Sequence, residues 1–256
     1  MPTNFNTLPA EVRDDIVNIL AQEYTPRHDD PTSAGPPGCS LTPYTTVCKE
    51  WKYVLERTTF RSLYIGLDNI DGLAVYVVGN RRRLVRHIML QVQLDDYPCP
   101  PETREETWPE KVQHNKTFSK TLTRFFDIMH KWEDEEVVSG GICLELAVSS
   151  PTDFRNLSYA EWERRRWDRS DIGDRRFQNS AVDFFGQDDE GRKTCLLKPV
   201  YAISSFEASP IGLRTVVPGA YGEIISALPR VRDVCLTLPK DGRLDLRKKH
   251  FTRKAR

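Results

Sequence analysis

Up to about position 57, apolar residues recur at helical spacing; beyond it the rhythm shortens. In "LPAEVRDDIVNIL", Leu8, Val12, Ile16, Ile19 and Leu20 fall three or four residues apart, which predicts an amphipathic helix. Pro9 suits its first turn, where a missing N–H costs nothing, and Glu11 puts negative charge where the helix dipole favours it. "TPRHDDPTSAGPPGCS" is dense in Pro, Gly, Asp and Ser and predicts a loop. "LTPYTTVCKEWKYVLER" resumes the helical pattern, with Val47, Trp51, Val54 and Leu55 on one face and Pro43 opening or bending the segment.

From position 60 short alternating segments take over: "FRSLYI", "VRHIMLQVQL", "GICLELAVS", "VYAISSFEA" and "VRDVCLTL". Their β-branched content or period-two patterning predicts strands. Helical patterns lie between them. "NIDGLAVYVV" offers Ile70, Leu73 and Val77, and "AYGEIISAL" offers Ile224, Ile225 and Leu228. The strongest stripe is in "FSKTLTRFFDIMHKW", with Phe118, Leu122, Phe125, Phe126 and Met129. Strand and helix in alternation imply parallel strands joined by right-handed crossovers. The segments at 85–92 and 231–238 share V-R-x-[IV]-x-L-x-[VL], the texture of a repeat. Their irregular period leaves an ordinary open α/β sheet as the alternative.

Composition narrows the function classes. Lys plus Arg and Asp plus Glu both number 37, so the net charge is zero, which argues against nucleic acid as the main partner. The balance is uneven, however, because "RLDLRKKHFTRKAR" at 243–256 is strongly basic. The six cysteines form no C-x-x-C pair and no histidines show ligand spacing, so no metal is expected. No apolar stretch has signal-peptide character or approaches the ~20 residues that span a bilayer. A cytoplasmic or nuclear setting with reduced thiols is therefore expected, and glycosylation at Asn115 and Asn156 is not. No phosphate-binding, nucleophile-elbow or zinc-protease motif occurs, and the five histidines stand isolated in the sequence. His87 reads as a surface or interface residue of a strand, and "WEDEE" at 132–136 as a solvated loop after a helix. The expectation is a binding protein with no catalytic residue and no cofactor; an enzyme of unrecognised class is the lesser alternative.

Leu8-Pro9-x-Glu11 opening an apolar helix, then Val47-Cys48-Lys49-x-Trp51, resembles the F-box motif. In that family three small helices dock onto the Skp adaptor, which links them to a cullin-based ubiquitin ligase. The match covers roughly residues 4 to 57, and the loop at 24–40 is longer than the turn usual between the first two F-box helices. The remainder resembles the irregular leucine-rich regions that follow F-boxes in many fungal proteins. The resemblance implies an α+β to α/β chain: an F-box domain at 1–57, a degenerate leucine-rich-repeat-like α/β domain with parallel strands at 58–242, and a basic tail at 243–256. It implies adaptor contacts from Leu8, Pro9, Val12, Ile16, Val47 and Trp51, Cys48 as a small buried side chain, and Lys49 and Glu50 turned to water. The implied role is the substrate receptor of a ligase, with a scaffold that binds the adaptor without ubiquitin transfer as the alternative.

The client surface is sought in the fifty or so residues between the "GICLELAVS" and "VYAISSFEA" strands, more than a compact crossover needs. There Tyr159, Trp162 and Arg166 share a helical face, and Trp167 adds a second large aromatic. Trp162, Arg166 and Trp167 are the residue types enriched at binding hot spots and are the candidate client contacts, with packing of both tryptophans onto the sheet and solvated arginines as the alternative. The basic tail reads as a solvated terminus, a nuclear-import signal or a segment for an acidic partner.

Overall fold

A computed structural model of the chain describes residues 9–13, 15, 16, 19, 49–97, 106–132, 140–154, 181–184, 197–209 and 214–236. Residues 10–13, 15, 16 and 19 are helical, and the Arg13 N–H donates to the Pro9 carbonyl at 3.1 Å. Helix α1 (Lys49–Thr59) runs past the boundary expected at 57 and buries Leu55 completely. Strand β1 (Ser62–Ile65) begins almost at once. Helix α2 (Ile70–Tyr76) and a 3-10 helix (Gly79–Leu84) lead to β2 (His87–Gln93).

Helix α3 (Trp108–Met129) follows, and its Phe118, Leu122, Phe125, Phe126 and Met129 are all buried, as their spacing predicts. It starts ten residues before the apolar stripe does, at a point where periodicity gives no signal. The signal there is chemical: Thr107 and Glu110 have capping-box spacing, and the Glu110 carboxylate accepts the Thr107 N–H at 2.8 Å. Pro109 sits in the first turn. At the other end Trp132 is buried under the Arg82 guanidinium, 5.4 Å from the ring centroid, and is not part of a solvated loop. Residues 133–136 of that acidic run lie outside the described residues.

Strand β3 (Ile142–Ser149) is entered through Gly141, whose φ is +69°. A Cβ there would also overlap the Ser204 side chain, so both backbone and space require glycine. A single helical turn, α4 (Pro151–Phe154), follows β3. The expected long crossover is interrupted by β4 (Ala181–Val182), which pairs in parallel with β6 (Thr215–Val216) as a small second sheet. Strand β5 (Ile203–Ala208), helix α5 (Pro218–Ser226) and strand β7 (Asp233–Cys235) are the remaining elements among the described residues.

The main sheet has five parallel strands in the order β1-β2-β3-β5-β7. Each new strand is added to the same edge, and the order never reverses as it does in a doubly wound sheet. Right-handed crossovers that always advance in one direction must put their helices on one face. The core agrees. Ile88, Leu90, Val92, Leu144, Leu146, Val148, Phe206 and Val234 join α2, α3 and α5 in one cluster. Rings tie it across elements, with Phe118 to Phe184 at 5.3 Å and Phe206 to Tyr221 at 6.1 Å.

Candidate functional site

Strand side chains alternate between faces, so the residues left out of that core line the opposite face. Register then sorts them into rows. One row runs Ser62, His87, Cys143, Ser205, Asp233, and the next runs Tyr64, Met89, Glu145, Glu207, Cys235. Gln91 and Gln93 extend the face beside Ala147 and Ser149. Tyr64, Gln93, Asp233 and Cys235 are exposed, most of the others half-buried, and only Met89, Ala147 and Ser149 buried.

The face is a linked polar surface. The Ser62 hydroxyl lies 3.1 Å from Nδ1 of His87, and Nε2 of His87 lies 2.9 Å from Glu145 Oε2. Gln91 donates to the Ser149 hydroxyl at 3.2 Å. Glu207 stands beside Glu145 on the neighbouring strand. Burial, and then the Glu145 charge, hold the Glu207 carboxyl above its ordinary range, with His87 pulling the other way. Burial also pushes the Cys143 thiol up; a hydrogen bond with Ser205 offsets part of this, and Glu207, Glu145 and Cys235 add to it. A thiol held protonated in this way is a poor nucleophile. Among the described residues no group of three His, Cys, Asp or Glu is placed to hold a metal ion, and no helix is long and apolar enough to cross a membrane.

A second polar cluster is enclosed. It lies where β2, β3 and β5 end. The Arg214 and Asp153 side chains are wholly buried and paired at 2.9 and 3.0 Å. Asp153 also accepts the Tyr97 hydroxyl at 2.7 Å and the Ser150 N–H at 2.8 Å. Burial draws the Arg214 pKa down, but the charge and hydrogen bonds of Asp153, with Tyr97 and Glu106, more than offset it. Beside it, His114 Nδ1 bonds the buried Glu106 carboxylate. With both Asp153 oxygens doubly bonded, this cluster serves as a lock between strand ends.

Of the expected adaptor contacts, Pro9 and Val12 are exposed, while Ile16 and Trp51 are half-buried on helical segments. Leu8, Val47 and Cys48 lie outside the described residues, as do the side chains of Lys49 and Glu50. The candidate client contacts Trp162, Arg166 and Trp167, with Tyr159, also lie outside them, as does the basic tail. His87 falls on the polar face, half-buried, in keeping with its reading as a surface or interface residue. The isolation of the histidines is a property of the sequence only. His87 and His114 each meet a carboxylate, and for His87 that partner is 58 residues away.

Sequence reasoning did not assemble the polar face or the Arg214 lock. The alternation in "HIMLQVQ" and "ICLELAVS" marks which residues leave the core, but the rows exist only once register is known. Compared with known proteins, the chain matches no family model, no curated protein and no solved structure.

Proposed function

We propose that the chain is the substrate-receptor subunit of a cullin-based ubiquitin ligase. On this reading the helical segments up to α1 bind the Skp adaptor, and the sheet domain is a degenerate leucine-rich solenoid that holds a protein client. The observation that carries the reading is the one-directional parallel sheet with α2, α3 and α5 on one face and a polar surface on the other. Leucine-rich solenoids present such a face to their partners. The chain would make no bonds itself; it would hold a client near the activated ubiquitin, converting an encounter between separate molecules into a tethered one. The F-box-like motif supplies the adaptor half of the proposal, in a cytoplasmic or nuclear setting.

Co-expression with the Skp adaptor tests this reading. The native chain should co-purify with the adaptor, and replacing Leu8 and Pro9 together should abolish that while leaving the circular dichroism unchanged. Binding retained by the double variant would sink the assignment. Cullin in the same eluate distinguishes the ligase from a scaffold that holds the adaptor alone.

A further inference from the structure

The basic segment 243–256 is the one sequence feature that the proposed function leaves without a role. We propose that it docks, within the same chain, on the polar face of the sheet. Charge complementarity is the first reason. The face carries Glu145, Glu207 and Asp233. Its one basic side chain in these rows, His87, is already engaged by Glu145. The segment offers Arg243, Arg247, Lys248, Lys249, Arg253, Lys254 and Arg256 against the lone acid Asp245. Glu145 and Glu207 are direct neighbours across two strands, an arrangement that destabilises when both are charged. A cation beside them removes that penalty.

Placement is the second reason. Among the described residues, strand β7 is the last strand and an edge of the sheet, and its Cys235 is the register partner of Glu207. The chain therefore leaves the sheet beside the carboxylates it would meet. Glu145 lies two strand spacings away, roughly 10 Å, whereas the stretch from Cys235 to Arg243 can extend over roughly 26 Å. Tethering at such short range gives an effective concentration of order millimolar, so a weak contact suffices. The contact itself does not depend on the ligase reading. Its consequence does: an internal occupant of the client face would have to be displaced by the client.

Zero-length carbodiimide coupling of the full chain tests the contact. A carboxylate and a lysine amine in contact condense to an amide with loss of water, and mass spectrometry locates the link. The expected products are monomeric, with Lys248, Lys249 or Lys254 joined to Glu145 or Glu207. They should be lost in Glu145→Gln/Glu207→Gln, and in about 1 M salt, where the Debye length falls to about 3 Å. Links from the tail to other carboxylates only, or links found only in dimers, overturn the proposal. A second readout covers poor folding of the glutamine variant. Replacing Arg247, Lys248 and Lys249 with Glu in the full chain should speed alkylation of Cys235, the exposed thiol beside Glu207, once the rate is referred to the thiolate fraction, which the lost cations lower; an unchanged rate per thiolate overturns the proposal. Neither outcome bears on adaptor co-purification, so failure here and failure of the ligase reading are distinguishable.

Discussion

Glu207 alternates with Phe206 and Ala208 along β5, and the two parities meet opposite environments: apolar packing on one side, a half-buried polar row on the other. Its carboxyl is held above the ordinary 4.5 first by burial and then by Glu145, with His87 acting against both. A carboxyl whose folded pKa is raised destabilises the fold when it ionises. That loss is absent below 4.5 and grows as pH rises through the higher folded value. Glu207→Gln should therefore be more stable than the native chain at pH 7, with the gain vanishing at pH 4. Urea denaturation at both pH values checks this, run in about 1 M salt so that a docked tail is screened while burial is not. An equal gain at pH 4 would mean that lost packing or hydration, not ionisation, governs the position. The sequence shows that Glu207 leaves the core, because alternation is local. It does not show that Glu145 stands beside it, because that pairing depends on the register between β3 and β5.

The elements themselves were largely legible. The five strands of the main sheet, α2, α3 and α5 all lie where apolar periodicity puts them, because each buries one stripe or one parity against a common core. The start of α3 was not legible by periodicity, since capping there is polar. The two-residue strands β4 and β6 were not either, since so short a segment carries no period. The Asp153–Arg214 lock was least legible, because its members are 61 residues apart and neither belongs to a motif. It reinforces the join between β3 and β6, for Arg214 also donates its N–H to Val148 of β3 just before β6 begins. Removing one member of a buried ion pair costs roughly 3–5 kcal/mol when its partner is left uncompensated; here Glu106, 3.9 Å from Arg214, keeps part of the compensation, so the lower end of that range applies. Asp153→Ala should lose stability on that scale by chemical denaturation. Adding Arg214→Met removes the stranded guanidinium and should recover a substantial part. If the double variant is no more stable than Asp153→Ala, the carboxylate matters through Tyr97 and Ser150 instead.

At the scale of the molecule, the one-directional sheet places α1 at the β1 end and β7 at the other. Two residues, Phe60 and Arg61, join α1 to β1. Arg81 fastens the joint further. Its guanidinium meets Glu56 of α1 at 2.6 Å, donates to the Tyr76 carbonyl at 2.9 Å and covers the Phe60 ring at 4.9 Å. A partly exposed ion pair contributes only about 0–1 kcal/mol, so the short junction and the buried Leu55 must hold α1 more firmly than the Arg81 charge does. Arg81→Ala alone should then loosen the joint little, whereas a long Gly-Ser spacer between Thr59 and Ser62 should free it. Spin labels at the exposed Tyr53 and Tyr201 report this directly, as a narrow distance distribution in the native chain and in Arg81→Ala, and a broad one with the spacer. On the proposed ligase reading, a complex reconstituted with adaptor and cullin should keep adaptor binding intact when it carries the same spacer. Ubiquitin transfer onto the chain's own lysines should lose its site preference, because a rigid arm presents few lysines to the activated ubiquitin and a flexible one presents many. An unchanged site pattern beside a broadened distance distribution would show that the joint is rigid but that its rigidity does not direct transfer.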